Sequence, residues 1–295
     1  MGRFPQQTTP TNQLVRRFAE PASLRQQVRR WKQEGHRVAL VPTMGALHAG
    51  HLSLVKAAFD AGATRVIASI FVNPTQFAAG EDLSTYPRDT DLDVGKLGNA
   101  GVHAVFLPSV GTMYPAGSRT NITVGGLSQV LCGRSRPTHF GGVATVVALL
   151  FNIVQPDVAV FGEKDFQQLQ VIRRLTADLH LPVEIVAAPI VREFDGLAMS
   201  SRNAYLTADQ RMLAPLLFEA MGHARSLVLT GERDPAVLVG DMRAICERAG
   251  TVDYVMVVDD NTLQEATVIG PSSRVALAVQ VGRARLIDNC SLWPT

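Results

Sequence analysis

The chain has 295 residues, 46% hydrophobic, 18% charged and 6% aromatic, with 28 Lys+Arg against 26 Asp+Glu. Length and apolar content suit one large α/β unit or two linked units around a substantial core. A net charge of +2 excludes a whole-surface polyanion binder, and the scarcity of aromatics argues against a stacking platform for single-stranded nucleic acid.

Residues 1–13 are polar, without the apolar run of a secretory signal, and read as a mobile tail. A helix fits 21–34, with Pro21 in its first turn, Leu24, Val28 and Trp31 on one face, and Gly35 as its stop. Val38–Val41 reads as a buried strand, 51–61 as a helix and Thr64–Val72 as a second strand. The turn-rich stretch 73–140 reads mostly as loops over one edge of a sheet, apart from a strand at Val102–Leu107. Helical patterns follow at 143–154 and 166–179, with strands at Val158–Phe161 and Val183–Ala187. The apolar run at 143–154 is too short for a bilayer, which needs about 20 residues, so no membrane association is expected. Strands alternating with helices argue for an α/β doubly wound parallel sheet. Past 190 the pattern changes to helices at 207–229 and 234–249, then strands at 252–258, 273–281 and 284–287, which suggests a smaller α+β C-terminal domain. Cys132, Cys246 and Cys290 are odd in number and far apart, which points to a reducing compartment without a disulfide frame.

Four segments carry chemistry. In VPTMGALHAGHLSLV, His48 and His51 stand between a strand and the start of a helix, where free N–H groups and the helix dipole attract phosphate. Gly45 and Gly50 would let a ligand approach the backbone; the alternative is a pair of helix-capping histidines. FGEKDFQQ places Lys164 at the next such junction, either as a point charge for phosphate or as a solvated charge paired with Asp165. DGLAMSSRN sets small hydroxyls beside Arg202, suited to distant phosphates or to a helix cap. SIFVNPTQF puts Gln76 past a strand end, where its amide can serve the hydroxyls of a small substrate or simply make a turn. P-loop, dinucleotide, zinc-hydrolase and α/β-hydrolase motifs are all missing from the sequence.

Taken together, PTMGALHAGH, FVNPTQF, YPR, RPTHFGGV, GEKDFQQL and GLAMSSRN resemble, in family order, the pantothenate synthetases (pantoate–β-alanine ligases), relatives of nucleotidylyltransferases and class I aminoacyl-tRNA synthetases. The resemblance runs from about Leu14 to Asn289. It implies a Rossmann-like ATP/pantoate-binding domain at 14–190 and a smaller lid at 191–295. It also implies a cytoplasmic homodimer that uses ATP and Mg²⁺ to join (R)-pantoate to β-alanine through pantoyl adenylate, releasing AMP and pyrophosphate. No nucleic-acid partner is implied.

By that likeness, Met44, Gly45, Ala46, Leu47, His48, Ala49, Gly50 and His51 form the first ATP loop, with His51 a proton donor and His48 its companion. Gly162, Glu163, Lys164 and Asp165 contact the nucleotide, with Lys164 catalytic. Val191, Met199, Ser200, Ser201 and Arg202 complete that site where related synthetases carry a K-M-S-K-S loop, here without either lysine. Gln76 and Gln168 hold pantoate, Gln76 also lies near β-alanine, and Asn73, Arg136 and His139 line the substrate pocket. The acids after Tyr86-Pro87-Arg88 stand in an uncertain register, so no metal ligand is assigned. Rival readings are a nucleotidyl transfer onto a phosphate acceptor, told apart by a stable adduct in place of free AMP, and a silent ATP sensor that releases no pyrophosphate.

Overall fold

A computed structural model describes residues 15–78 and 80–293; the expected tail at 1–13 lies outside them. The first half runs β1 (Arg16–Phe18), α1 (Pro21–Gln33), β2 (Val38–Thr43), α2 (Ala49–Asp60), β3 (Arg65–Ile70), α3 (Thr90–Asn99), β4 (Ala104–Phe106), α4 (Val110–Met113), α5 (Cys132–Ser135), α6 (His139–Val154), β5 (Val158–Gly162), α7 (Phe166–Asp178) and β6 (Glu184–Ala188). All six strands pair in parallel in the order β1-β4-β3-β2-β5-β6.

Alternation along the strands explains the two-sided packing. Val38 and Leu40, with Ala159 and Phe161, face α1, α6 and α7. Ala39 and Val41, with Val158 and Val160, face α2 and α3. Successive strand side chains point to opposite faces, so both faces of a sheet covered by helices must be apolar.

The second half runs α8 (Ala208–Leu213), α9 (Leu216–Leu229), α10 (Pro235–Glu247), β7 (Thr251–Asp259), β8 (Ser273–Val281) and β9 (Ala284–Ser291), the strands forming a small antiparallel sheet in that order. Its core joins Leu217, Met221, Leu238 and Met242 of α9 and α10 to Val275, Leu277 and Val279 of β8.

Several elements differ from expectation. The stretch 73–140 contains a regular ten-residue helix, α3, capped by Asp89, whose Oδ1 accepts from the Leu92 N–H at 3.0 Å. Edge strand β1 precedes the first expected element, and α6 starts at His139 rather than 143. The single helix expected over 207–229 is two: Thr207 caps α8, and Pro215, which has no N–H to donate, separates it from α9.

Candidate active site

The strand order reverses between β2 and β5: the chain builds outward through β3 and β4 on one side, then returns to lay β5 and β6 on the other. Ligand crevices in open α/β sheets form at such a point, outside the carboxyl ends of the strands. All four chemical segments follow carboxyl ends, those of β2, β3, β5 and β6. They open into one cavity of about 790 Å³.

His48 is the N-cap of α2, and its Nδ1 accepts from the Gly50 N–H at 3.1 Å. The Nδ1 of His51 accepts from the His48 N–H at 3.3 Å, and the two ring centroids lie 4.2 Å apart. A backbone N–H can only donate, so both Nδ1 atoms carry lone pairs and each ring's proton sits on Nε2. The capping and ligand-binding readings are therefore compatible, since capping uses Nδ1 and leaves Nε2–H as a donor. Burial, then the neighbouring His48, pushes the pKa of His51 down to about 3; burial, then Lys164 and Lys96, lowers that of His48. Both rings are neutral hydrogen-bond donors through Nε2–H in this state. Gly50 is needed here because a Cβ would stand 2.9 Å from the His48 ring.

The loop behind the pair turns through positive φ at Gly45 (85°) and Ala46 (52°). Asp93 of α3, only 2% exposed, holds it: Oδ2 accepts from the Ala46 N–H at 2.8 Å and Oδ1 from the Leu47 N–H at 2.9 Å. Lys96 donates to the Leu47 carbonyl at 2.7 Å. Asp93 and Lys96 were not singled out in the sequence as loop anchors. Their signal was the helix pattern itself, an Asp cap followed by Val94 and Leu97 at helical spacing.

Of the first loop, Met44, His48, Gly50 and His51 line the cavity, while Gly45, Ala46, Leu47 and Ala49 form the backbone around them. Gly162, Lys164 and Asp165 line it and Glu163 does not. The Lys164 ammonium is 3.9 Å from the Asp165 carboxylate. Val191, Met199, Ser200, Ser201 and Arg202 all line it as well. The Met199 N–H donates to the Val191 carbonyl at 2.9 Å, and Ser200 Oγ accepts from the Arg202 N–H at 3.2 Å. Arg202 reaches Asp82 at 2.9 Å.

The expected substrate residues Gln76, Gln168, Asn73, Arg136 and His139 face the same cavity, but their bonding separates them. Asn73 is committed internally: its Nδ2 donates to Gln76 Oε1 and to the Gly142 carbonyl, both at 3.1 Å, and its Oδ1 accepts from Tyr114 Oη at 2.8 Å. Arg136 forms two 2.6 Å bonds to Glu81 and donates from Nη2 to the Gln76 carbonyl at 3.3 Å. His139 donates from Nδ1 to the Gln76 carbonyl at 2.8 Å, and burial, then Arg136, lowers its pKa to about 4. These three residues therefore orient Gln76, whose Nε2 meets only the weak acceptor Met44 Sδ at 3.0 Å. Phe71, Val143, Val147, Leu150 and Phe161 supply apolar wall nearby.

Among the described residues no three His, Cys, Asp or Glu side chains gather as a metal cage. Asp82, with a buried and unpartnered Oδ2, and Asp165 are oxygen donors on the cavity. That set suits Mg²⁺, which retains waters and takes few carboxylates when substrate phosphates supply the remaining oxygens.

Neutral imidazole donors, fixed cations and a polar–apolar pocket at one switch point define a small-molecule enzyme of the doubly wound α/β class. The model of the pantoate-beta-alanine ligase family matches residues 16–291. The chain is 53% identical over 273 residues to the pantothenate synthetase of Rhodospirillum rubrum, covering 91% of this chain and 95% of that one. It is 50% identical over 275 residues to that of Syntrophobacter fumaroxidans, covering 92% and 97%. The crystal structure of pantothenate synthetase from Thermus thermophilus superposes with a TM-score of 0.90 at 43% identity, covering 95% of this chain and all of that one. The pantoate-beta-alanine ligase of Francisella tularensis, complexed with beta-gamma ATP and beta-alanine, gives a TM-score of 0.77 at 31% identity, covering 96% and 99%. This chain belongs to the pantoate–β-alanine ligase family. Among its described residues no helix is long and apolar enough to cross a membrane.

Proposed function

We propose that this chain condenses (R)-pantoate with β-alanine to pantothenate at the expense of ATP, through pantoyl adenylate, releasing AMP and pyrophosphate. One observation carries the reading: His48, His51 and Lys164 sit at the adjoining ends of β2 and β5 and share a single cavity with Gln76 and Gln168. A phosphate grip and a hydroxy-acid pocket with apolar wall for a branched carbon skeleton are what the first step requires. The Francisella tularensis relative, solved with beta-gamma ATP and beta-alanine, supports the choice of substrates.

A carboxylate is a poor electrophile and must be activated before an amine will displace its oxygen. In the first step the pantoate carboxylate oxygen attacks the α-phosphorus of ATP in line, the bond to the β-phosphate bridging oxygen breaks, and pyrophosphate leaves. Nε2–H of His48 and of His51 donates to phosphoryl oxygens, and Lys164 balances the charge that shifts onto the leaving group. Such positioned donors in a water-poor site stabilise developing charge without reorganising. Gln76 and Gln168 orient pantoate. Mg²⁺ bound with the nucleotide would sit on Asp82 or Asp165 and neutralise phosphate charge. In the second step the neutral amine of β-alanine attacks the acyl carbon and AMP departs with the activated oxygen. Met44 to His51, Gly162 to Asp165, Val191 and Met199 to Arg202 form the ATP site in this reading.

The same reading makes 14–190 the ATP/pantoate domain and 191–295 a smaller lid that keeps water from the adenylate. It expects a cytoplasmic homodimer. Isotope exchange between ATP and pyrophosphate tests the order of steps: exchange should require pantoate and proceed without β-alanine. Exchange that appears only when β-alanine is added refutes the two-step route.

A further inference from the structure

β9 of the second sheet reaches both cation-bearing loops through consecutive residues. Asn289, 3% exposed, donates from Nδ2 to the carbonyls of Glu163 at 2.9 Å and Lys164 at 3.0 Å. Its Oδ1 accepts from Arg274 Nη1 at 2.6 Å, so every hydrogen-bonding function of the amide except one lone pair is engaged. Arg274 is itself fixed: its Nε donates to Asp260 at 2.6 Å, and its guanidinium lies 3.7 Å from the ring centroid of Phe166, the first residue of α7. Asp288, also 3% exposed, holds Arg192 with both oxygens, at 2.6 and 3.0 Å. Arg192 pairs with Ala198 in an antiparallel bridge and donates to the Gly196 carbonyl at 2.9 Å, which closes the turn that presents Met199 to Arg202.

We infer that Asp288 and Asn289 are positioning residues that set the spacing between Lys164 and the Met199–Arg202 segment across the triphosphate. Consecutive strand residues face opposite sides, so one rigid strand holds two loops at a fixed separation. Asp288 and Asn289 border the cavity, but their side chains are taken up by Arg192, Arg274 and the Glu163 and Lys164 carbonyls. Only an amide meets the demand at 289. It must donate to two carbonyls and accept from a guanidinium, which a carboxylate or an aliphatic side chain cannot do. The inference rests on the proposed ATP site.

The test is the equilibrium dissociation constant of ATP, with that of pantoate measured beside it. Asn289→Ala should raise the ATP value by about tenfold, since misplacing a ligating group by an ångström is costly, and should leave pantoate within twofold. In a Lys164→Ala background the same substitution should add less than twofold, because its route to the ligand is gone. Full additivity with Lys164→Ala, or an equal loss of pantoate binding, overturns the inference and marks Asn289 as a general support of the fold. If Lys164→Ala alone leaves ATP binding unchanged, the site reading fails and the inference falls with it. Should Asn289→Ala not fold, Asp288→Asn, which keeps the shape and removes the charge, carries the same test against Arg202→Ala. There a rise in the ATP constant that vanishes in the double variant supports the inference, and no rise refutes it.

Discussion

The two sides of the candidate phosphate grip are built in different ways. On the β2–α2 side, each histidine is oriented by a backbone N–H two or three residues away. On the β5–β6 side, Lys164 and Arg202 ride on loops whose backbone is fixed by β9, 96 to 125 residues further along the chain. The local side is a capping arrangement that forms with its own helix. The remote side exists only when both sheets have folded and docked, so substitutions far along the chain from its loops should weaken it selectively.

The largest effect expected falls on the local side. His48→Ala or His51→Ala should lower the pantoate-dependent first step by about 10²–10³-fold, the usual loss for one preorganised donor. Either variant retaining full activity removes that ring from the grip. A smaller effect sharpens how local this side is. Asp93→Ala leaves the Ala46 and Leu47 N–H groups without their acceptor and should raise KM for ATP by about tenfold, with kcat reduced less. An unchanged KM for ATP would show that the histidine loop keeps its shape unaided.

The remaining effect is on stability and leaves the chemistry of the site untouched. The folded state holds His51 and His139 neutral, with pKa values near 3 and 4, whereas the unfolded chain takes up those protons near pH 6.5. Between pH 6.5 and about 4 the unfolded state binds more protons, so stability falls as pH falls, by about 1.4 kcal/mol per pH unit for each group at most. Urea midpoints should drop between pH 7 and pH 5. A flat profile would mean these rings are already solvated and charged in the folded protein.

What the sequence discloses follows the same division. The alternation of buried strands and amphipathic helices marks the doubly wound sheet, and the strand–helix junctions mark His48, His51 and Lys164, because these signals repeat within a few residues. Helix α3 is hard to read: three Asp and two Gly fall between 89 and 99, and only Val94 and Leu97 mark its buried apolar side. The true start of α6 is masked by Gly141 and Gly142. Gly142 is there because a Cβ would come within 2.5 Å of the Thr75 carbonyl oxygen, a contact that no local pattern announces. Asp288 and Asn289 fall just past the strand expected at 284–287, which β9 extends to Ser291, and nothing local marks them, since their partners are supplied by topology rather than by neighbours.

The account depends most on paired, neutral imidazoles that donate to phosphate from Nε2, and ¹⁵N-edited NMR of the histidine side chains tests it directly. At pH 7 both rings should give unprotonated Nδ1 and protonated Nε2 signals, and added ATP should shift the Nε2–H resonances of His48 and His51 while Nδ1 stays unprotonated. Imidazolium signals from the free protein at that pH, or ring resonances that ignore saturating ATP, would contradict it.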